Sequence, residues 1–215
     1  MKKLSICIFI IVIIFSLCQL CLAGGDMKFP IQLSYVSGLG DVYDVYVDNL
    51  NANGYDINSD FYLPIALSFQ PFYEFDFGLR IGGGVGPIML VLVQEKTIYG
   101  SSSTTDYTTY FDLPLNFNVG YTLIPRSPVS PYVKTGFVFH VNTGDYLTSS
   151  SPGLLLAAGV DFLRSKRVNF GFEVARDFSE SVFEHRIQDD YYDSYYTTEK
   201  KISTGGLTIG LFVRF

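Results

Sequence analysis

The sequence contains no tryptophan, and its three cysteines, Cys7, Cys18 and Cys21, all lie near the amino terminus. From Gly24 onward no disulfide is possible within the chain. Charged residues make up 17% of the chain, below the roughly 25% of ordinary soluble domains. The net charge of -6 argues against a nucleic-acid-binding surface. After residue 23 there is no apolar run long enough for a transmembrane helix, which excludes a helical membrane protein of several spans.

The amino terminus predicts a targeting segment. Lys2 and Lys3 precede an apolar run over 4–17, and small residues stand at the −3 and −1 positions of the sequence Cys21-Leu22-Ala23. This is the layout of a signal peptide that is cleaved after Ala23. The sequence therefore predicts a signal peptide over 1–23 and one domain over 24–215. The alternatives are an uncleaved anchor over 4–23 and a lipoprotein acylated at Cys18 or Cys21.

Apolar residues recur at every second position through most of the remaining chain. This period is typical of a strand with one apolar face. It is found in eight segments, over 29–35, 61–69, 75–81, 111–121, 133–141, 154–162, 168–174 and 207–215. The chain has 19 Phe and 16 Tyr residues, and many of them fall on these apolar faces. The sequence therefore predicts an all-β fold.

Eight such strands fit two architectures. A soluble sandwich or lipocalin-like barrel buries the apolar face, whereas a membrane barrel turns it toward lipid and keeps polar residues inside. Eight inward rows of Phe, Leu and Tyr would overfill a small barrel, whose interior barely holds ordinary side chains. We therefore predict an eight-stranded antiparallel transmembrane β-barrel with an up-and-down meander.

The lengths of the connections agree with this architecture. Long connections are predicted over 38–60, 94–106, 142–153 and 179–201, and short turns over 70–74, 124–130 and 164–167. Outer-membrane barrels have short periplasmic turns and longer external loops. With an even number of strands, both termini are expected in the periplasm. The apolar run over 88–93 is expected to extend the third strand above the membrane as a sheet edge.

The last segment carries a family resemblance. Its apolar positions alternate up to the terminal aromatic residue, at Leu207, Ile209, Leu211, Val213 and Phe215. This strand resembles the terminal strand of bacterial outer-membrane β-barrel proteins, and the chain is similar to the small eight-stranded type of outer-membrane proteins A and X. The resemblance implies a Gram-negative outer-membrane location and recognition of this strand by the barrel assembly machinery.

Charged residues occupy the inner face of the predicted strands. An unpaired charge inside a narrow barrel is costly, so we expect these charges to pair. The predicted lumen network comprises Glu74, Asp76, Arg80, Lys134, Asp161, Glu173 and Arg214. Arg80 and Lys134 are expected to meet Glu173 near mid-height. The network is expected to block a continuous pore.

The lower lumen is expected to hold Arg214 close to Asp161 and Asp76. Glycines on the inner faces of the strands would make room there for the large side chains of Tyr132 and Phe212.

Catalytic and binding residues are scarce. His140 is predicted at the top of an inward row, with Asp112 or Asp177 nearby, and we interpret it as a buried polar residue. The sequence contains no phosphate-loop or zinc motif, so we expect no cofactor and no metal site. Arg176 faces outward near the external rim and is a candidate contact for a lipopolysaccharide phosphate.

Two predicted external loops alternate acidic residues with tyrosine, over 41–48 and 189–196. Tyrosine suits contact surfaces, so these loops could hold an external ligand, although neither spacing matches a calcium loop.

Three functions follow from these observations. The first is a non-catalytic, monomeric envelope barrel with a closed polar lumen and acidic, Tyr-rich external loops for structure or surface interaction. The second is a narrow porin or a conduit for apolar ligands, which needs a gap among the inward side chains. The third is a lipid A-modifying enzyme, which needs His140 beside a nucleophile at the rim.

Overall fold

A computed structural model of the chain describes residues 24–62, 64–98, 102–164, 168–189 and 194–215. The strands in these ranges are β1 (Gly25–Lys28), β2 (Pro30–Val36), β3 (Asp56–Tyr62), β4 (Ile65–Phe69), β5 (Phe72–Phe75), β6 (Leu79–Val85), β7 (Ile88–Ile98), β8 (Ser102–Thr122), β9 (Val129–Gly144), β10 (Leu147–Ser151), β11 (Gly153–Phe162), β12 (Asn169–Asp177), β13 (Glu180–Asp189), β14 (Ser194–Ser203) and β15 (Gly206–Arg214). Helix α1 (Gly38–Ala52) follows β2. Among these residues no helix is both long and apolar enough to cross a lipid bilayer.

The strands close into an antiparallel barrel with eight walls. β15 pairs with both β12 and β2, and β8, β9, β11 and β12 pair in sequence order. The other three walls each consist of two strands in line, β1 with β2, β4 with β5, and β6 with β7. The structure therefore confirms the predicted eight-stranded barrel and its up-and-down order.

Prolines lie at the interruptions of these three walls. Pro30 begins β2, Pro71 separates β4 from β5, and Pro87 separates β6 from β7. Proline has no amide hydrogen to donate to a neighbouring strand, so ladders break where it occurs. Across the seam between β4 and β6, the two strands share a single pair, Phe69 with Val85.

Two of the predicted segments are divided in the structure. The prediction of one strand over 75–81 is wrong, because the chain turns at 76–78 between β5 and β6. Gly78 has a φ of 102° and donates its amide to the Phe75 carbonyl at 2.8 Å, a conformation that favours glycine. The segment over 61–69 also divides, since β3 ends at Tyr62 and β4 begins at Ile65.

The two faces of the barrel differ sharply in chemistry. Large apolar side chains point away from the lumen, and Leu211 and Phe117 are 67% and 65% exposed. Polar side chains point inward, and Arg214 is only 1% exposed. This arrangement is the reverse of a soluble barrel and matches the interior and exterior of a membrane barrel.

The barrel has two different ends. One end carries the turns at 76–78 and 123–128, strand β1, and the pair of Arg214 with Pro30. We call it the turn end. The other end, which we call the helix end, carries helix α1, strand β3 and the part of β7 that pairs with β3. It also carries the small sheet of β10, β13 and β14. The strands of the helix end continue well past the barrel, so the predicted long loops are largely regular structure.

Helix α1 falls within the segment predicted as the loop over 38–60. Its apolar face packs into a core at the helix end, and its exposed face carries Asp41, Asp44 and Asp48. The core consists of Val36, Leu39, Val42, Val45, Tyr46, Leu50, Ala66, Ile88, Leu90, Leu92, Tyr110 and Phe183. The interpretation of 41–48 as a loop with exposed tyrosines is therefore wrong, because Tyr46 is fully buried.

The run over 88–93 extends the third wall beyond the barrel, within β7. It is not a sheet edge, however, because β7 pairs with β8 on one side and with β3 on the other. Leu90 and Leu92 are fully buried in the core below α1.

Candidate functional site: the barrel lumen

A dense ionic cluster fills the lumen near the turn end. Arg80 donates from Nε to Glu74 Oε1 at 3.0 Å and to Thr122 Oγ1 at 2.7 Å. Its Nη2 also donates to Asp161. Arg214 donates to both carboxylate oxygens of Asp161, with Nη1 at 3.1 Å from Oδ2. All of these side chains are nearly inaccessible to solvent.

A third arginine, which the sequence analysis missed, completes this cluster. Arg164 lies in the turn after β11, and its Nη2 is 2.8 Å from Glu74 Oε2. Its Nη1 is 3.5 Å from Asp161 Oδ2. A turn residue gives no alternation signal, so the pattern that predicted the other inward charges could not predict Arg164. Three arginines thus surround two buried carboxylates.

Asp76, the remaining acidic residue predicted for this region, lies outside the cluster. It is exposed in the turn between β5 and β6 and, with Asp26 and Arg126, lines a polar pocket of about 320 Å³ at the turn end, which Glu74 and Arg164 also border. The expected approach of Arg214 to Asp76 is therefore wrong. The turn at 76–78 ends the alternation that placed Glu74 and Asp76 on the same face.

A second ionic group lies higher in the lumen. Lys134 Nζ is 2.8 Å from Glu173 Oε2 and donates to Gln70 Oε1 at 2.8 Å. Tyr132 donates its hydroxyl to the same Glu173 oxygen at 2.7 Å. Of the two partners expected for Glu173, the structure shows Lys134; Arg80 instead pairs with Glu74 and Asp161.

Aromatic rings pack between the two ionic groups. The Arg80 guanidinium lies 4.2 Å from the ring centre of Tyr132, and that of Arg214 lies 5.4 Å from the ring centre of Phe212. A Cβ atom at Gly171 would lie 2.2 Å from Phe212 Cζ, and one at Gly159 would lie 2.5 Å from the Tyr132 hydroxyl. These glycines leave the space that the two rings occupy.

His140 is held between two carboxylates near the helix end of the lumen. Its Nδ1 is 2.7 Å from Asp112 Oδ2, and its Nε2 is 3.0 Å from Asp177 Oδ2. Both expected partners are therefore present, one on each ring nitrogen. Asp177 also accepts hydrogen bonds from the Ser179 amide and hydroxyl. Carboxylates therefore engage both ring nitrogens of His140.

A cavity of about 90 Å³ separates His140 from the ionic groups. Its lining mixes polar groups, such as Ser34 and Asn116, with apolar ones, such as Ala66 and Leu155. Below it, around Arg80 and Tyr132, the free space shrinks to about 30 Å³. Above it, the apolar core under α1 lies at the helix end.

Two hydrogen bonds hold α1 against β13. Asn49, fully buried, donates from Nδ2 to the Glu184 carbonyl at 2.6 Å and accepts from the Arg186 amide at 2.7 Å. Burial in the same core raises the pKa of the Tyr46 phenol well above its usual value. The helix is thus tied to β13 by buried polar contacts as well as by apolar packing.

The other predicted site residues lie on the outer surface. Leu207, Ile209, Leu211 and Val213 face outward from β15, and Phe215 follows them at the turn end. Arg176 is exposed on the outer face of β12. The acidic, Tyr-rich segment over 189–196 falls in the hairpin between β13 and β14, and residues 190–193 lie outside the described residues.

The sequence matches no protein-family model and no curated protein sequence. The structure, however, is similar to the crystal structure of the outer membrane protein OprG from Pseudomonas aeruginosa. The TM-score is 0.53, the sequence identity is 12%, and the alignment covers 90% of this chain and 97% of that chain. This chain has the fold of an outer-membrane β-barrel protein. The inward charges and the outward apolar rows described above agree with this fold.

Proposed function

We propose that this barrel is an integral outer-membrane protein with a closed lumen, and that it acts without catalysis in envelope structure or surface interaction. The exposed apolar side chains of the outer face support membrane insertion. The connections are short at the turn end and long at the helix end. Because outer-membrane barrels have short periplasmic turns and longer external loops, this favours a periplasmic turn end and an external helix end. In that orientation both Gly25 and Arg214 lie on the periplasmic side.

The observation that carries the closed lumen is the presence of two obstructions in series. The cluster of Arg80, Asp161 and Arg214 fills the lower lumen, and the core under α1 covers the upper end. An ion crossing the barrel would have to displace several charge-paired side chains and then pass an apolar core, which carries no groups to replace its hydration shell.

Single-channel recording in planar bilayers tests this proposal. We expect the folded protein to insert without producing stable current steps. As a positive control, a variant cleared of both obstructions and of the large side chains between them should conduct. In this variant 38–53 is replaced by a short flexible linker, and the lumen residues changed to alanine are Glu74, Arg80, Tyr132, Lys134, Asp161, Glu173, Phe212 and Arg214. Stable ohmic conductance from the unmodified protein would overturn the closed lumen.

The proposal places the surface function at the helix end. Asp41 and Asp44 lie exposed on one side of α1, beside Asp48, whose carboxylate is 3.2 Å from His185 Nε2. They offer an acidic face to an external ligand or to neighbouring envelope molecules. This face is rigid, because the opposite side of the helix is buried. Binding partners are therefore expected to carry complementary basic groups.

The outward row of β15 supports a role in assembly. We propose that the barrel assembly machinery recognises the row from Leu207 to Phe215 during insertion. Phe215→Ala should then lower the amount of folded protein in the outer membrane of cells, with spontaneous folding of the purified chain unaffected. The control Phe178→Ala removes an exposed ring (49% exposed) from another outward row and should leave the cellular level unchanged.

The contacts of His140 favour a non-catalytic protein. Carboxylates engage both of its ring nitrogens, and no described serine hydroxyl donates to them. Mass spectra of lipid A from cells with and without the protein should therefore be identical. A new lipid A species that depends on His140 would contradict this part of the proposal.

A second candidate function is a conduit for a small apolar molecule. The seam between β4 and β6 favours this conduit, because the two strands share only one residue pair there. The seam also adjoins the cavity of about 90 Å³ at Ala66 and Gly86. A disulfide across the seam, in a Phe69→Cys and Val85→Cys variant of the directly paired residues, would then block uptake of an apolar tracer by cells. Equal uptake by the oxidised and reduced variants would dismiss the conduit.

A further inference from the structure

The outer surface of β8, β9, β11 and β12 carries a groove of about 680 Å³. It runs from Leu79 and Tyr121, near the turn end, to Arg176 and Leu207, near the helix end. Between these limits Val133 and Ala158 supply part of an apolar lining. The groove is therefore mainly apolar, with the Arg176 cation at one end.

Arg176 lacks the partners that the inner arginines have. No carboxylate of the described residues lies within ion-pair distance of it, and its guanidinium lies 5.7 Å from the ring centre of Phe178. Among the barrel-strand side chains that the structure describes, it is the one basic group on the outer face. A cation on a lipid-facing surface is costly unless an anion or water meets it.

The position of Arg176 along β12 places it toward the helix end of the apolar band. Outward residues follow one another from Phe170 through Phe172 and Val174 to Arg176. Six residues at about 3.3 Å each span roughly 20 Å along the strand, which is about 15 Å of height at the tilt of 35–45° usual for such barrels. A long arginine side chain in the upper part of the band reaches toward the phosphate groups at the surface of the leaflet, and the groove extends from it into the hydrocarbon layer.

We propose that Arg176 and this groove form a binding site for one lipid A molecule of the outer leaflet. The guanidinium pairs with a lipid A phosphate, a bidentate contact for which arginine is well suited. An acyl chain lies along the groove toward Tyr121. The choice of lipid A over inner-leaflet phospholipid rests on the proposed orientation, in which the helix end faces outward.

Native mass spectrometry of the full chain in detergent tests the phosphate contact. Bisphosphorylated lipid A, lipid A without phosphates and phosphatidylglycerol are the added probes. We expect one bound bisphosphorylated lipid A, weaker binding of the other two, and about a tenfold loss of affinity in Arg176→Gln. Arg126→Gln removes the same charge from an exposed turn at the other end and should bind as the unmodified protein does.

The groove is tested separately by Ala158→Phe, which fills its middle without changing charge. We expect this variant to weaken lipid A binding, whereas Val141→Phe, on the outer face beyond the groove, has no effect. Equal affinities in Arg176→Gln and Arg126→Gln would overturn the site, and so would equal retention of lipid A and phosphatidylglycerol.

A separate measurement distinguishes failure of the site from failure of the orientation. A membrane-impermeant maleimide should label Asp44→Cys on intact cells if the helix end is external. Labelling without selective lipid A binding would refute the groove site alone. Absence of labelling in intact cells, with labelling after lysis, would refute the orientation itself.

Discussion

Asp161 shows how a single residue organises the lower lumen. Its side chain is fully inaccessible, and it accepts from Arg80 and Arg214 while Arg164 lies close by. Removing one member of a buried ion pair leaves uncompensated charge in a region that water does not enter freely. The contribution of the cluster to folding stability should therefore depend strongly on the Asp161 carboxylate.

Asp161→Asn should lower the free energy of unfolding by about 3–5 kcal/mol, because three guanidinium groups lose their shared counter-charge. Urea titration in lipid vesicles, followed by the gel mobility of the folded and unfolded forms, measures the change. Asp76→Asn makes the same chemical change in the exposed turn and should stay within about 0.5 kcal/mol. Similar losses in the two variants would mean that the cluster does not depend on Asp161.

At the residue scale, alternation predicted most of the inward charges but not all of their contacts. Lys134 and Glu173 lie inward because the strands that carry them are uninterrupted, and Arg80 lies inward on β6 although its predicted segment is divided at 76–78. Asp76 differs because the turn around Gly78 resets the alternation, and Arg164 was missed because it enters from a turn. A sequence pattern fixes the face on which a strand residue lies, whereas its partner depends on the reach and direction of the side chain.

Helix α1 is the element that differs most from expectation. The sequence over 41–48 alternates acidic residues with tyrosine and valine, which suggested an exposed loop. The same residues also place Val42, Val45 and Tyr46 on one side of a helix. Burial of that side against β7 and β13 outweighs the local polarity, and such tertiary packing is not visible in a short sequence window.

The closure of the helix end should depend on Asn49. Asn49→Ala leaves the Glu184 carbonyl and the Arg186 amide without their partner, at a cost of about 2–3 kcal/mol to the docking of α1. Limited proteolysis should then cut within 38–52 at a rate increased by about tenfold or more, with the barrel intact. Asp44→Ala, on the exposed side of the same helix, should be cut no faster than the unmodified protein. Unchanged cutting of Asn49→Ala would contradict this account of the closure.

The docking of α1 should also weaken at alkaline pH. The pKa of Tyr46 is raised in the folded state. The contribution of its neutral phenol to the stability of the docked helix is therefore complete below the unfolded pKa of about 10. This contribution is lost as the pH rises from that value through the higher pKa of the folded state. A spin label on Asp44→Cys, in a chain from Gly24 onward without other cysteines, should become mobile above about pH 10. Tyr46→Phe should shift this transition to higher pH, and Tyr35→Phe should not. A label that is mobile at neutral pH, or a transition unaffected by Tyr46→Phe, would contradict the burial of this ring.

At the scale of the whole molecule, the barrel was predictable because its main signal is repeated in every wall. Outward rows such as Leu207, Ile209, Leu211 and Val213 alternate with small or polar inward residues, and lipid imposes this pattern without regard to details of packing. The helix end follows different rules, since its core is built as in a soluble protein, from residues distant in sequence. The sequence therefore predicted the part in lipid better than the part above it.

The central claim is that bulky apolar rows face lipid and charged rows face a closed lumen. The adjacent residues Leu211 and Phe212 test it most directly, because they lie on opposite faces of β15 with exposed fractions of 67% and 4%. Spin labels on Leu211→Cys and Phe212→Cys, in protein reconstituted into vesicles, report collisions with lipid-soluble oxygen. We predict a high oxygen collision rate at position 211 and a low one at 212, repeated as period two along 207–213. A high rate at 212 with a low rate at 211, or no alternation at all, would contradict the account.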